Sequence, residues 1–418
     1  MVLLYFFNLI VAVFILLAPF WWSRNLLKLD KWNPINIITL CYLPVQIFRL
    51  FVGQLIRDEG LMDPYYNFAV FITNLRECIS LLLLYFTSRL KIIHKIPIIL
   101  PKLGFIRISY FPLISKLFFV FFIITFLMLA IKTGGVVDWL SNIRSSYMLK
   151  RDGNGLYYAA AINFLSISFF FAGIAIKDSL KFSLLSLLYY GAVYILGSKG
   201  YLLNFFIFYI IIIWRQRNIS VGWVLIFFMP LLFILILYNF YSNHDYIELV
   251  TLFEYFDHYP ISALYYKDYF ENAISLYNGE IFFTSFWHYV PRQFFPEKPY
   301  VYGILYLVEF YFPGGPESGN TPSFTDGVSH FADFGIFGVL FFSIFNPIPI
   351  LYFSALRYAL LNNYFLQMNG MSGRTIIICL LLFAPMFGVF LPILYLIIFL
   401  FIIFIFIRIS ILLKNSIN

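Results

Sequence analysis

The chain has 418 residues, 62% of them hydrophobic, 22% aromatic and only 11% charged, and its 28 Lys+Arg against 20 Asp+Glu leave a formal charge of +8. A soluble domain carries about 25% charged residues and a disordered chain is charge-rich and poor in apolar residues, so the composition excludes both. A basic balance on so apolar a chain belongs at a membrane surface rather than on nucleic acid. The fold class expected is an all-α polytopic membrane protein. Cys41, Cys78 and Cys379 lie in apolar runs with no CxxC or Cys/His cluster, which argues against a disulfide framework or a zinc site.

A bilayer core of about 30 Å needs roughly 20 apolar residues per helix. The first run, 2–20, lacks a basic leader and a small-residue cleavage site and is read as a retained span. Runs 35–56, 65–87, 113–131 and 156–176 follow. Two longer runs, 182–214 and 375–407, exceed one helix and are read as helical pairs, broken at Gly197-Ser-Lys-Gly200 and near Pro385 to Pro392. With 221–240 and 334–353 the total is eleven spans. The organisation expected is residues 1–240 as the first eight helices with an external loop at 132–155, one large periplasmic loop at 241–333, and C-terminal helices in 334–418.

Loop charges orient this arrangement. Arg89, Lys91, Lys95, Lys102, Arg107 and Lys116 cluster between spans three and four with no acidic residue among them, which marks that side as cytoplasmic. Alternation then makes the cytoplasmic segments sum to +15 and the external ones to −8. The N-terminus is expected outside, the C-terminus in the cytoplasm and the whole chain in the inner (cytoplasmic) membrane of a bacterium.

The loop 241–333 carries 12 carboxylates and only three cations, Lys267, Arg292 and Lys298. Short amphipathic helices are expected at 247–256 and 262–275, with Pro260 breaking between them. An extended, Pro-bounded segment at 291–299 and a Gly/Pro-rich stretch at 313–322, read as a lid, come next. A loop this long is functional more often than merely connecting.

No HExxH, P-loop, GxGxxG after a strand, GxSxG or Asp-x-Asp is present, and no metal or cofactor is called for. What remains is the scarcity of cations on an acidic exterior. Arg144 follows Thr133-Gly134-Gly135, Lys199 lies at the hinge of a helical pair, and Arg292 and Lys298 lie in the Pro-bounded segment. Cations at that depth suit a diphosphate at headgroup level, because guanidinium binds phosphate oxygens bidentately; solvation or lipid-headgroup pairing is the plainer account. His330 stands just before Gly335-Ile-Phe-Gly338, close to Asp326 and Asp333. A neutral His or a carboxylate there is suited to taking a proton from a sugar hydroxyl. Arg49, Arg76 and Glu77 fall inside spans, where such groups normally pair; a role near a lipid diphosphate is the alternative.

These elements together resemble the bacterial O-antigen polymerases (Wzy-like oligosaccharide repeat-unit polymerases), a family related in topology to the O-antigen ligases. The local matches are Gly134-Gly135 with Asn142-Ile-Arg144 and Gly153-Asn-Gly155; Gly197-Ser-Lys-Gly200; Val290-Pro-Arg-Gln-Phe-Phe-Pro-Glu-Lys-Pro299; and Phe334-Gly-Ile-Phe-Gly338. Two departures stand out. Lys199 occupies a position that is often Arg in the family, and the family's Glu near the final glycine pair is replaced by Asp326 and Asp333, leaving the general base open.

The resemblance implies a metal-independent, integral-membrane glycosyltransferase without cofactors. A growing glycan would pass from a polyprenyl diphosphate (undecaprenyl diphosphate) onto a lipid-linked oligosaccharide repeat unit, in polysaccharide and lipopolysaccharide biosynthesis. Arg292 and Arg144 are expected to hold the donor diphosphate with Lys199 and Lys298. His330 or Asp326 is expected to assist the acceptor hydroxyl, with Asp333 beside them. Tyr289 and Trp287 are candidates to stack on sugar faces, as are Tyr300 and Tyr302, or to serve as loop core and interfacial anchors. Expected partners are the lipid-linked repeat units, membrane lipids and a chain-length regulator, with no nucleic acid. Two rivals remain: an O-antigen ligase using the same donor with a lipid A–core acceptor, and a non-enzymatic flippase for lipid-linked glycans.

Overall fold

The computed structural model describes residues 2–25, 63–88, 105–141, 143, 146–147, 154–198, 201–202, 205–206, 209–210, 212, 258–290, 292, 294–318, 322–325, 327–343 and 370–372. In chain order the elements are α1 (Val2–Asn25), α2 (Pro64–Ser88), β1 (Phe105–Arg107), α3 (Phe111–Lys132), α4 (Val136–Ser141), α5 (Gly155–Ala175) and α6 (Ser179–Ile195). They continue with α7 (Tyr259–Phe270), α8 (Glu280–Thr284), α9 (Leu305–Tyr311), α10 (Gly315–Ser318), α11 (Val328–Ser343) and β2 (Gly370–Ser372). One-turn 3₁₀ segments precede α3 and follow α8. The described residues are thus almost wholly helical, the exception being the antiparallel pair β1–β2, in register Ile106 opposite Met371.

Three helices, Leu3–Asn25, Phe111–Lys132 and Gly155–Ala175, are long and apolar enough to cross a membrane by length and composition. The protein is a multi-pass membrane protein, and α6 and α11 are shorter apolar helices. The expected span at 65–87 is a continuous 25-residue helix, α2, with polar residues along it. The expected spans at 35–56, 221–240 and 375–407 lie outside the described residues.

The chain forms two compact units. The first comprises residues 1–90, 219–288 and 298–352. Its core lies where α2, α7, α9 and α11 meet: Tyr66, Ala69, Val70 and Ile72 face Tyr265, Tyr266, Leu307, Val308, Phe331 and Val339. Phe331 is the hub, with the rings of Tyr266, Tyr269 and Phe68 edge-on at 5.1, 5.2 and 5.8 Å. Edge-to-face packing suits ring quadrupoles, so the abundance of Phe and Tyr has a packing use here. Against α1, α2 is tied by amides: Asn8 donates to the Asn67 carbonyl at 2.9 Å and Asn74 to the Asn8 carbonyl at 3.1 Å. Such bonds hold apolar helices together where no hydrophobic difference favours helix over lipid.

The second unit comprises residues 91–218, 289–297 and 353–418. Here α3 and α5 pack along their lengths, and α6 joins through a hydroxyl cluster. Ser115 donates to the Ser168 carbonyl at 2.9 Å, Ser168 to the Ser115 carbonyl at 2.7 Å, and the Tyr189 hydroxyl lies 2.6 Å from that of Ser168. Asp178 caps α6, accepting the N–H groups of Leu180 and Lys181 at 2.8 and 3.1 Å, as a short carboxylate before a helix should. The apolar run expected to break at the Gly197 hinge does stop there: α6 ends at Ile195 and Gly197 turns at φ 80°.

Two local expectations are corrected. The helix expected at 262–275 is α7, Tyr259–Phe270, with Pro260 in its first turn rather than separating two helices. Proline lacks the N–H that a first turn leaves unbonded anyway, so it starts a helix well. The segment expected to be extended at 291–299 is instead a series of turns through its described residues, because proline presets a turn φ and has no N–H to donate to a neighbouring strand.

Candidate functional site

In the first unit, the feature carrying most of the geometry is the bend in α11. Phe334 and Gly335 leave helical geometry, with Gly335 at φ 62° and ψ −150°, a region essentially restricted to glycine. The chain folds back so closely that a Cβ on Gly338 would overlap the His330 carbonyl and stand 2.9 Å from the Phe334 Cβ. Both glycines of Gly335-Ile-Phe-Gly338 therefore have a steric reason to be glycine. The bend frees the carbonyls of Ala332 and Asp333 from their helix. The N–H of Tyr277 and the N–H of Asn278 donate to them at 2.8 and 3.1 Å.

Asp333 completes this node. It is 2% exposed, and its two oxygens accept the N–H groups of Ile281 at 3.0 Å and Phe282 at 2.6 Å. The carboxylate thereby caps α8, whose first N–H groups have no helical partner. Burial pushes the Asp333 carboxyl above its ordinary value, while the N–H groups of Ile281, Phe282 and Gly279 pull it back and Glu280 pushes it up again. The sequence reading named Asp333 but missed the segment it holds. A signal was present: Asn278-Gly279 is an Asn-Gly pair, and both residues take positive φ, 51° and 97°, as a tight mirror-image turn requires.

His330 lies on the first part of α11, one helical turn before Asp333. Its ring stacks on Phe342 at 4.7 Å and 20° across the bend, and Phe342 also meets Phe282 at 4.8 Å. Trp287 lies against Phe286 at 4.7 Å. Tyr289 belongs to the 3₁₀ segment following α8. Lys298 places its ammonium 4.5 Å from the ring centre of Tyr302, a cation–π contact. Arg76, on α2, is 4% exposed, and its stem runs past Gly327; of the two pairings expected for Glu77, with Arg49 or with Arg76, the first involves Arg49, which lies outside the described residues.

Carboxylates elsewhere in this unit pair with phenols or turns, which sequence reading did not pick out. Tyr311 donates to Asp268 at 2.8 Å, and burial together with that carboxylate raises the phenol well above its usual range. The Gly314 N–H is shared by both oxygens of Glu309 at 3.1 Å, which fixes the start of the Gly/Pro-rich stretch. Thr325 donates from its N–H and hydroxyl to Ser262 at 2.8 and 2.9 Å, anchoring the chain ahead of α11.

In the second unit, the loop after α3 and the hinge after α6 meet. Gly134 and Gly135 take φ of 109° and 110° and lead into α4, where buried Trp139 donates its indole N–H to the Ile195 carbonyl at 2.9 Å. A Cβ on Gly197 would stand 2.6 Å from the Cβ of Tyr147 and 3.1 Å from the Ile143 carbonyl. The segment flanking position 144 is thus packed on the segment leading to position 199. Arg144, Lys199 and Asp326 themselves lie outside the described residues. Arg292, in the 289–297 segment of the same unit, donates to the Pro296 carbonyl at 3.5 Å. Among the described residues, no three of His, Cys, Asp or Glu converge as a metal's donor set would.

The chain is similar to the O-antigen polymerase of Salmonella typhimurium, with 24% identity over 232 residues, covering 52% of this chain and 54% of that one. It is similar to the same extent to the O-antigen polymerase of Salmonella typhi. The chain spans about half the length of the curated relatives it matches. No family model matches, and no solved structure matches.

Proposed function

From that similarity we propose that the protein is a surface-polysaccharide polymerase of the O-antigen type. In the proposed reaction the bond between the anomeric carbon of the growing glycan and its polyprenyl diphosphate breaks. A hydroxyl of the incoming lipid-linked repeat unit bonds to that carbon, its proton passes to a base, and the diphosphate leaves with the electron pair. The diphosphate needs no protonation, so cations suffice to absorb the charge, and hydrogen bonds to charged groups contribute about 1.5–3 kcal/mol each. Arg292 and Arg144 are assigned to the diphosphate, with Lys199 and Lys298 as further cations. His330 is assigned to the acceptor hydroxyl, with Asp326 as the alternative base. Asp333, with both oxygens engaged by backbone N–H groups, is assigned to positioning.

The similarity to two O-antigen polymerases carries this reading. The packing of Gly197 on Ile143 and Tyr147 supports it, since it joins two of the cation-bearing segments within one unit. The pairing of β1 with β2 supports the proposed sidedness, because loop charge puts residues 105–107 and 370–372 on the same, cytoplasmic, side. The proposed location is the bacterial inner membrane, with a chain-length regulator as partner.

Deleting the gene tests the reading against its rivals. A polymerase mutant retains single repeat units on the surface glycan, a ligase mutant has none, and a flippase mutant accumulates repeat units on the inner face. Arg292→Ala, supplied on a plasmid, should restore protein but not long chains. Full-length chains from that variant at normal protein level would overturn the assignment of Arg292.

A further inference from the structure

We infer that residues 280–286 of the expected external loop lie in the bilayer's interfacial layer, joined to the outer face of α11 in one lipid-facing surface. The helix α8 and the 3₁₀ turn after it have two faces. Inward, Ile281 is buried and Ser285 donates back to the Ile281 carbonyl at 2.6 Å, while Thr284 accepts the Gly303 N–H at 2.9 Å. Outward, Phe282, Phe283 and Phe286 are exposed, Phe283 to 69%. Beyond the bend, α11 likewise buries Gly338, Val339 and Ser343 and exposes Ile336, Phe337, Leu340 and Phe341, with Phe337 exposed to 78%.

The two outward faces are continuous. Phe283 meets Phe282 at 5.4 Å, Phe282 meets Phe342 at 4.8 Å, and Phe342 meets Phe341 at 5.2 Å. A contiguous surface of exposed phenylalanines in water would be an aggregation liability. In a chain that crosses a membrane, and on an element continuous with an apolar helix, the occupant that fits is lipid. An amphipathic segment settles about 5–10 Å into the headgroup and acyl boundary, and aromatic rings favour that layer. Asp333 and the bend hold α8 and the turn just before it to α11 through four hydrogen bonds, two to each, so the depth of one element sets that of the other.

This places His330, stacked on the same Phe342, at the level where a lipid diphosphate meets water. The inference rests on the protein being membrane-embedded and not on the polymerase reading, though it gives that reading a reaction depth. It also separates the loop 241–333 into a part in water and a part in the membrane.

The test uses the full-length chain in nanodiscs of phosphatidylcholine and phosphatidylglycerol, with Cys41, Cys78 and Cys379 replaced by serine. Phe283→Cys, Phe286→Cys, Phe337→Cys and, as a water-exposed control, Glu317→Cys each carry a bimane label. Brominated lipids should quench the label at 283, 286 and 337 but not at 317. A membrane-impermeant maleimide should react about tenfold more slowly at the first three, as burial in the interfacial layer requires. Labels at 283 and 286 that behave like the one at 317 overturn the inference. A photoactivatable phosphatidylcholine, applied to the unaltered protein, reads the same surface without substitutions. Adducts on residues 282–286 support it, and adducts confined to α1, α3 and α5 overturn it. Because these readouts report position and glycan banding reports polymerisation, failure of one is distinguishable from failure of the other.

Discussion

Asp333→Ala should release α8 from the bend of α11. The substitution removes both acceptors for the N–H groups of Ile281 and Phe282, bonded at 3.0 and 2.6 Å, and leaves two donors in a site that is 2% exposed at Asp333. An unsatisfied buried donor costs about 1–3 kcal/mol, and the Phe282 N–H is only partly buried, which gives about 2–5 kcal/mol for the pair. Relief from burying a carboxylate offsets part of this, since burial is the largest influence on its proton affinity. A net local loss of about 2–4 kcal/mol follows, or roughly 30- to 900-fold in hydrogen-exchange protection of the Ile281 and Phe282 amides. Exchange measured by mass spectrometry on peptides covering 276–290, in detergent or nanodiscs, reads it directly. Asp333→Asn, which keeps one acceptor, should fall between wild type and alanine. Unchanged protection in Asp333→Ala would refute the capping role, and lost polymer with protection retained in Asp333→Asn would instead point to proton transfer by this carboxyl.

Further outcomes follow from the same geometry. Because burial holds the Asp333 carboxyl above its unfolded value, the folded state binds the proton more tightly; stability relative to Asp333→Asn should therefore increase as pH falls from 7 towards the unfolded value of about 4, by thermal melting at a series of pH values. The opposite slope would mean that the N–H groups outweigh burial. Gly335→Ala must place a Cβ residue at φ 62° and ψ −150°, a strain of about 1–3 kcal/mol, and should lower both melting temperature and polymer length. Ser168→Ala and Tyr189→Phe each break a hydroxyl contact between α5 and α6; each should cost about 0.6–1.7 kcal/mol in membrane-protein unfolding. Their double variant should cost less than the two together, since they share one contact.

Several helices and their ends were legible because the determinants are local. The runs at 2–20, 113–131 and 156–176 became α1, α3 and α5 within a few residues, since twenty apolar residues have few alternatives to a helix. Gly197 ended α6 for a similar reason, needing positive φ where other residues resist it. Pro260 was read as a break and proved a start, because a proline's effect depends on whether helix follows it. Within the candidate site, Gly335 and Gly338 were recognised as a pattern, but the reason for the pattern is a close approach between His330 and Gly338 that no spacing displays.

By itself the sequence determined that this protein lives in a membrane and where apolar helices form, because transfer of a long apolar run out of water outweighs any other local preference. It also singled out His330 and Asp333 as candidate groups beside the Gly335-Ile-Phe-Gly338 pattern. Only the tertiary structure decided what Asp333 does, since a carboxylate's proton affinity and partners depend on which N–H groups arrive from residues about fifty positions away. It likewise decided that Phe282 and Phe283 share a surface with α11 through Phe342. Phenylalanine in a loop reads the same whether it faces core, water or lipid, and only the packing of its neighbours distinguishes them.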